Sequence, residues 1–538
     1  MSASLRDEDL RAFLLNRGLR EIPKILTLQD RTPHSVTYGC FDRNYWHYRI
    51  IDFPSGMAQE FVLPLALAWA TNTPDNEFAG KDCIRDWAVA GIAFAARSAH
   101  ADGSCDDYYP HERAAGATAF SLYAALRAIE ILDVDHRPFL SFLTRRAEWL
   151  HAHRESGRLS NHEALIAATL FRLSRLIGNA DFARMGAERL ARLLDWQSEE
   201  GWFAEYEGCD PGYLTLTVAM LAEIHEMHPD QGLRQPLTAA VDFLARIQPP
   251  DGWFGGEWAS RNTHNYFPHG LEACGRWLPQ ALAVNTRAVA GLIRAEPCYS
   301  DDHILGHHCW SYLLAVRNWV ATRAPLLPPA DGRELFPEAG LVIDRKNGRT
   351  LLCATKKGGA FRLYDGDTLN CADTGLSLQV DLRGRRRVAV CHLWSDDNQV
   401  AIGENELTVQ GWMGWAKTQA MTPFRNVVLR LVMTSVGRFF PDLVRLILQK
   451  LLISGHKRAP FRFTRRLSWT SRQILVADEI ESGEWASVVA AGIGSAQTSI
   501  YAVMSRVFHP SQLVPWQDCS EALRDVGEDG RLRVRRTL

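Results

Sequence analysis

Four short glycine loops recur along the first half of the chain and constrain its fold more than any other feature. They are Ala-Asp-Gly-Ser around Gly103, Glu-Ser-Gly-Arg around Gly157, Glu-Glu-Gly-Trp-Phe around Gly201 and Pro-Asp-Gly-Trp-Phe around Gly252. Their spacings are 54, 44 and 51 residues. A period near 50 is the length of one helix pair with its turns, so the pattern predicts an array of helical hairpins. Between the loops, from about residue 60 to about 322, apolar side chains recur at helical spacing, as in Ala119, Leu122, Leu126 and Ile129, or Ile166, Leu170, Leu173 and Ile177. Such arrays form an open solenoid or a closed α/α toroid. Loops rich in Asp, Gly, Trp and Tyr favour the toroid, with the loops around a central cleft.

The pattern changes at Ala324–Gly332, where three prolines remove helical donors and disfavour α backbone in the residues before them. Beyond this linker the apolar residues alternate. Asn347-Gly348 marks a hairpin turn between Leu341-Val342-Ile343 and Leu351-Leu352-Cys353, and Leu376, Leu378, Val380 and Leu382 share one face. The chain is therefore read as α+β and multidomain: an α/α toroid over 1–323, a Pro-rich linker over 324–335, and an antiparallel β-sandwich over 336–538.

Composition narrows the function classes. With 538 residues and 46% hydrophobic side chains, the chain has ample core, which excludes a disordered protein. Lys plus Arg is 60 against 62 Asp plus Glu, so no global field draws nucleic acid, and none is expected as a partner. The 11 Cys are odd in number and lack a C-x-x-C pair, which predicts reduced thiols. The N-terminus lacks a basic region followed by an apolar run, and no stretch of about 18 uncharged apolar residues occurs, so a cytoplasmic location is expected. No Gly-rich phosphate loop calls for a nucleotide, and no cofactor is expected. The 17 Trp fit either a sugar cleft, as with Trp202 and Trp253 in the repeat loops, or plain core packing.

Ser160-Asn161-His162-Glu163 precedes an apolar run and fits a capping box with Ser160 as N-cap. Asn161 and His162 then lie in the first turn, where the helix dipole disfavours an imidazolium and leaves His162 neutral, competent as a base. The alternative is a cap followed by two solvated residues. Asp210-Pro211-Gly212-Tyr213 is a second helix start, with Asp as N-cap and Pro at the first position. Tyr213 would face the same mouth as a proton donor or acceptor, or else pack. Three loops combine polar and aromatic groups in the manner of binding loops. The first holds Arg43 and Trp46, the second Tyr108, Tyr109, Glu112 and Arg113, and the third Arg261, Asn262, His264, Tyr266 and His269. Arg43 and Arg49 could fork onto a carboxylate or pair with Asp42 and Asp52.

The order of these motifs resembles the heparinase II/III-like polysaccharide lyases, with alginate lyases among their relatives. The features are Asn161-His162 at a helix start, Asp-Pro-Gly-Tyr about 50 residues later, a Pro-rich linker, and a C-terminal segment opening Leu-Phe-Pro-Glu-Ala-Gly-Leu-Val-Ile. The resemblance covers nearly the whole chain. It implies β-elimination on a uronic-acid-containing glycan, with an acidic polysaccharide or oligosaccharide as substrate. Asn161 would neutralise the uronate carboxylate, and His162 and Tyr213 would act as base and acid, with a further His from His264 or His269. The family pattern places His-Ala-Asp where this chain reads Cys371-Ala372-Asp373. The loss of that imidazole predicts no zinc there, with His392 a weak substitute. Two other readings remain: a glycoside hydrolase using Asp106, Asp107, Glu205, Asp210 or Glu257, and an eroded glycan-binding protein.

One segment breaks the alternation. From Arg425 to Arg466 the sequence reads as apolar and helical, with ten Arg or Lys opposed by Asp442 alone. A basic helical insertion is expected at about 420–458. It would either pack on the toroid or lie on an anionic membrane at its cytosolic face.

Overall fold

The computed structural model describes residues 6–155, 157–206, 208–298, 304–323, 326, 329–416, 420–440, 457–470, 473–495, 507–508, 513 and 516–538. The first part is helical: α1 (Asp7–Leu19), α2 (Ile22–Leu28), α3 (Arg43–Trp46), α4 (Val62–Ala70), α5 (Asp82–Ser98), α6 (Ala115–Leu132), α7 (Leu140–Ala152), α8 (Ser160–Ile177), α9 (Ala180–Leu194), α10 (Pro211–Met227), α11 (Arg234–Ile247), α12 (Pro268–Gly275), α13 (Pro279–Arg294) and α14 (Ile304–Arg317). Helices α4, α6, α8, α10, α12 and α14 pack in that order, and α14 returns to α4, so these inner helices form a closed ring. Helices α5, α7, α9, α11, α13 and α1 pack outside them.

Sequence explains the two shells. Most positions of the inner helices are buried, and α12 is buried at all eight. The outer helices carry one apolar stripe, as in Leu237, Val241, Leu244 and Ile247 of α11. Polar groups inside the ring are matched to one another. Tyr123 of α6 donates to Glu223 of α10 at 2.7 Å, Arg172 of α8 reaches the same carboxylate at 2.7 Å, and His269 of α12 bonds Ser311 of α14 at 2.8 Å. Five inner helices thereby share one buried polar plug.

The repeat glycines have a physical reason. Gly201 and Gly252 have φ of 102° and 83°, and an added Cβ would lie 2.3 Å from the Ala239 carbonyl and 2.1 Å from that of Arg287. Each loop is pressed against the next outer helix, α11 or α13, where no side chain fits.

The β part begins with β1 (Gly332–Phe336), which starts inside the stretch read as linker and ends one residue beyond it. It continues through β2 (Leu341–Lys346), β3 (Arg349–Ala354), β4 (Ala360–Asp365) and β5 (Thr368–Asp373), an antiparallel sheet in the order β1-β2-β3-β4-β5. The expected turn joins β2 to β3, with Asn347 and Gly348 both at positive φ. A second, nine-stranded antiparallel sheet holds β6 (Leu376–Leu382), β7 (Arg385–Val390), β8 (Gln399–Ile402), β9 (Glu406–Trp415), β10 (Arg458–Trp469), β11 (Ile474–Glu481), β12 (Val488–Ile493), β13 (Gln517–Asp518) and β14 (Arg531–Thr537). The small sheet is the middle layer. Leu341, Ile343 and Leu352 join the helical core, whereas Val342, Leu351 and Cys353 join the core beneath the large sheet. Period-two alternation on one strand serves both neighbours.

The segment read as one basic helical run splits in two. Helix α15 (Pro423–Val432) is helical, but Arg458, Arg462, Arg465 and Arg466 lie on β10. Residues 441–456 fall outside the described residues.

Candidate active site

The starts of neighbouring inner helices meet at one end of the ring. An added Cβ on Gly116, second in α6, would lie 2.8 Å from the His162 ring at the start of α8. One on Gly212, at the start of α10, would meet Thr263 at 2.8 Å and the Asn265 carbonyl at 3.0 Å, just before α12. Aligned helix N-termini bring partial positive charge and unpaired N–H groups together, an electrostatic setting for an anion.

Glu205, in the loop before α10, organises the group. Its carboxylate accepts from the Asn161 side chain at 2.8 Å, the Ser160 hydroxyl at 3.0 Å and Arg261 at 2.9 Å. Ser160 is therefore not the N-cap: Leu159 holds that place, and Glu163 pairs with Arg189 at 2.7 Å rather than reaching back. A buried carboxylate next door offered Ser160 a stronger partner than a local amide. At α10 the expected cap is present, with Asp210 accepting from the Tyr213 amide at 3.1 Å and Pro211 at the first position. Asp210 also accepts from Thr263.

Arg261 lies over the Tyr213 ring at 4.8 Å and over Tyr206 at 4.5 Å. Tyr206 and Asn262 hold φ of 58° and 53°, unusual for non-glycine residues. Burial raises the Tyr213 pKa; Arg261 pulls it down, and Glu205 and Asp210 push it up, so the phenol keeps its proton well past neutrality. His162 Nδ1 sits 2.6 Å from Glu155 Oε2. Burial opposes charge on the ring, but Glu155, with Glu205 beyond it, outweighs this and raises the His162 pKa. The dipole argument for a neutral imidazole is thus overridden by a carboxylate seven residues upstream. That bond places the proton on Nδ1 and leaves Nε2 as the acceptor in the neutral ring.

His264 is oriented the other way. Trp253 Nε1, which can only donate, reaches His264 Nδ1 at 2.9 Å, so neutral His264 carries its proton on Nε2 and is a donor there. Burial raises the Glu205 pKa, and Arg261, Asn161 and His162 pull it back in part.

The β part braces this cluster. Lys357, fully buried, donates to the carbonyls of Glu257 at 2.5 Å and Ala259 at 2.7 Å, behind Arg261. Burial lowers the Lys357 pKa to about 7, opposed by Glu257 and Asp210. Arg362 pairs with Glu257 at 3.0 Å, and Trp394 packs where a Cβ on Gly208 would fall.

Other residues singled out from the sequence have partners of their own. His269 belongs to the polar plug, and the Tyr266 hydroxyl bonds Asn285 in the core. Trp202 donates to Glu200, which accepts from the amides of Glu338 and Ala339 at the joint with the β part. Trp46 donates to the Leu28 carbonyl at 2.7 Å, and Arg43 stacks on Tyr48. Asp52, one of the acids offered as a partner to Arg43 and Arg49, instead pairs with Arg430 at 2.5 Å. Glu112 accepts from the amide of Tyr108 at 2.8 Å, with those of Asp107 and Tyr109 farther off at 3.3 Å each, and Arg113 pairs with Asp102. These four residues shape the loop ahead of α6, where Tyr108 is exposed. Sequence reading missed Glu155, Tyr206 and Lys357, and took Glu205 only as a hydrolase acid. The run Glu205-Tyr206, five residues before Asp210, was the available signal.

The residues present do not fit a catalytic metal at Cys371–Asp373. Asp373 accepts from Arg465 at 2.8 Å, Arg536 at 2.6 Å and the Gly375 amide at 2.7 Å, and burial pushes the Cys371 thiol up to about 11. Among the described residues, His100, Asp106 and His111 hold donor atoms within 4.8 Å of one another. Asp106 already accepts from His100 and from the amides of His111 and Arg113, at 2.8, 2.8 and 3.0 Å.

No family model matches the chain, and no curated protein does. Solved structures do. A Paenibacillus xanthan lyase is similar with a TM-score of 0.54 at 10% identity, over 90% of this chain and 46% of that one. A Streptomyces coelicolor A3 chondroitin AC lyase, in complex with chondroitin sulphate, gives 0.51 at 9% identity, over 90% and 67%. The heparan sulfate lyase HepC of Pedobacter heparinus gives 0.43 at 12%, over 91% and 76%. The chain thus spans about half the length of the xanthan lyase. It shares with the xanthan lyase and the chondroitin AC lyase a fold likeness over 90% of its length.

Proposed function

We propose that this protein is a polysaccharide lyase that cleaves a uronic-acid-containing glycan by β-elimination, of the heparinase II/III-like kind. In this reading the helix ring is the α/α toroid and the two facing sheets are a β-sandwich. The observation that carries it is the meeting of an acceptor imidazole and a protonated phenol at converging helix N-termini. Asn161 and the helix ends stabilise negative charge as it develops on the uronate carboxylate, with the His264 N–H as a further donor. His162 Nε2, steadied by Glu155, removes the C5 proton. Tyr213 gives its proton to the O4 leaving oxygen while Arg261 offsets the charge left on the phenol. Trp253 holds His264 in place. No cofactor enters these steps.

The fold shared with a xanthan lyase and a chondroitin AC lyase supports the reading. The glycoside hydrolase alternative is weakened because both oxygens of Glu205 are spent on Asn161, Ser160 and Arg261. A screen of acidic polysaccharides for new ultraviolet absorbance from a conjugated uronide is the test, and Tyr213→Phe should lower turnover by about 10²-fold or more. Reducing ends without absorbance would replace the lyase by a hydrolase, and near-normal turnover in Tyr213→Phe would remove Tyr213 from the reaction.

A further inference from the structure

Helix α15 and the turn after it, Met433–Gly437, stand out from the rest of the surface. Among the described residues 24 large apolar side chains are exposed, and nine of them lie between Met421 and Phe440. Phe424 is 76% exposed, Leu431 62% and Phe439 73%. No residue of α15 itself is buried. Phe424, Val427, Val428 and Leu431 follow helical spacing on one stripe, and Arg425 and Arg430 flank it on either side.

The helix does not break when α15 ends. Met433–Gly437 forms a π turn, which takes up one extra residue and brings Val436, Phe439 and Phe440 into line with the stripe in place of Ser435. Met433 and Gly437 are the buried positions of this turn. Arg430 ties the helix to the helical part through Asp52, and Ile50, two residues away, is 70% exposed. The apolar stripe is exposed along its length, from Phe424 through Leu431 and Val436 to Phe439. From Lys417 to Arg458 the sequence carries eight Lys or Arg against one acid, Asp442.

We propose that this segment docks the protein on an anionic lipid surface, with the Phe424–Leu431–Phe439 stripe in the headgroup layer and Arg425 and Arg438 on lipid phosphates. Charge selects this occupant. A second copy of the chain would bring the same cations together, whereas an anionic bilayer complements them and also accepts the apolar stripe. The stripe is too short to span a bilayer, so the contact is peripheral. The inference is independent of the reaction assigned above.

Co-sedimentation of the full chain with vesicles of equal phosphatidylglycerol and phosphatidylcholine tests it, with pure phosphatidylcholine as control. Binding to the anionic vesicles that weakens with added salt is expected. Phe424→Ser combined with Leu431→Ser and Phe439→Ser should abolish it. Arg425→Gln with Arg438→Gln should weaken it on the order of tenfold. All five positions are exposed, and an unchanged circular dichroism spectrum confirms that the variants fold. Three outcomes overturn the proposal: absence of anionic binding, equal binding by the triple variant, or a dimer in sedimentation velocity that the triple variant dissolves while vesicles bind neither form.

Discussion

At the scale of single residues, the chemistry assigned to His162 depends on Glu155. A base works only when deprotonated, and a pKa raised above the ordinary value near 6.5 moves the acid limb of the pH–rate profile upward. The alkaline limb follows Tyr213, whose pKa is raised above 10, so activity should peak on the alkaline side. Glu155→Gln removes the stabilising carboxylate, and its acid limb should move to lower pH. An unmoved limb in kcat/KM would detach His162 from that limb. A second residue-scale effect concerns stability. Burial lowers the His269 pKa to about 4, so the unfolded chain binds a proton that the folded one refuses between about pH 6.5 and 4. Stability therefore falls as pH drops through that window, by roughly 3 kcal/mol from this group. Urea unfolding of His269→Gln, which cannot titrate, should show a flatter pH dependence there than the parent.

At the scale of elements, the repeat loops act as spacers that set how closely outer helices approach. Gly252 has left-handed backbone, and its missing Cβ makes room for the Arg287 carbonyl of α13. Gly252→Ala should cost about 1–3 kcal/mol, because both the backbone strain and the clash must be relieved. Thermal melts read this as a lowered Tm, and an unchanged Tm would mean the loop shifts freely. The same loop leads to Trp253, which sets the His264 tautomer, so the variant should lose activity beyond its loss of stability.

At the scale of the whole molecule, the site is assembled by both halves. Lys357 and Arg362 come from the β part and hold the Glu257–Arg261 loop of the helical part from behind. The small sheet also lends Phe336, Leu341, Ile343 and Leu352 to the helical core. A chain of residues 1–323 alone would expose that apolar face and leave the Glu257 and Ala259 carbonyls without their donor. It should be poorly soluble and inactive, and the full chain should unfold in one transition by both fluorescence and circular dichroism. Separate transitions would show that the two parts are stable independently.

Local patterning was enough to determine the helical hairpins, the glycine loops between them, the Asn347-Gly348 hairpin and the Asp210 cap. Each depends on backbone geometry and side-chain period within a few residues, which a sequence displays directly. It also pointed to Asn161, His162 and Tyr213 as one group, since helix starts are local features, and named Arg261 separately in a polar loop. Tertiary structure alone decided the partners. Ser160 turned from cap to Glu205 ligand, Glu155 reversed the expected charge preference of His162, and Trp253 selected the proton position on His264. It also drew Tyr266 and His269 into the core and laid Arg458–Arg466 along a strand. The physical reason is common to all of these: a buried polar group is ruled by the strongest partner within about 3 Å, and that partner is chosen by the packing of distant segments rather than by its neighbours in the chain.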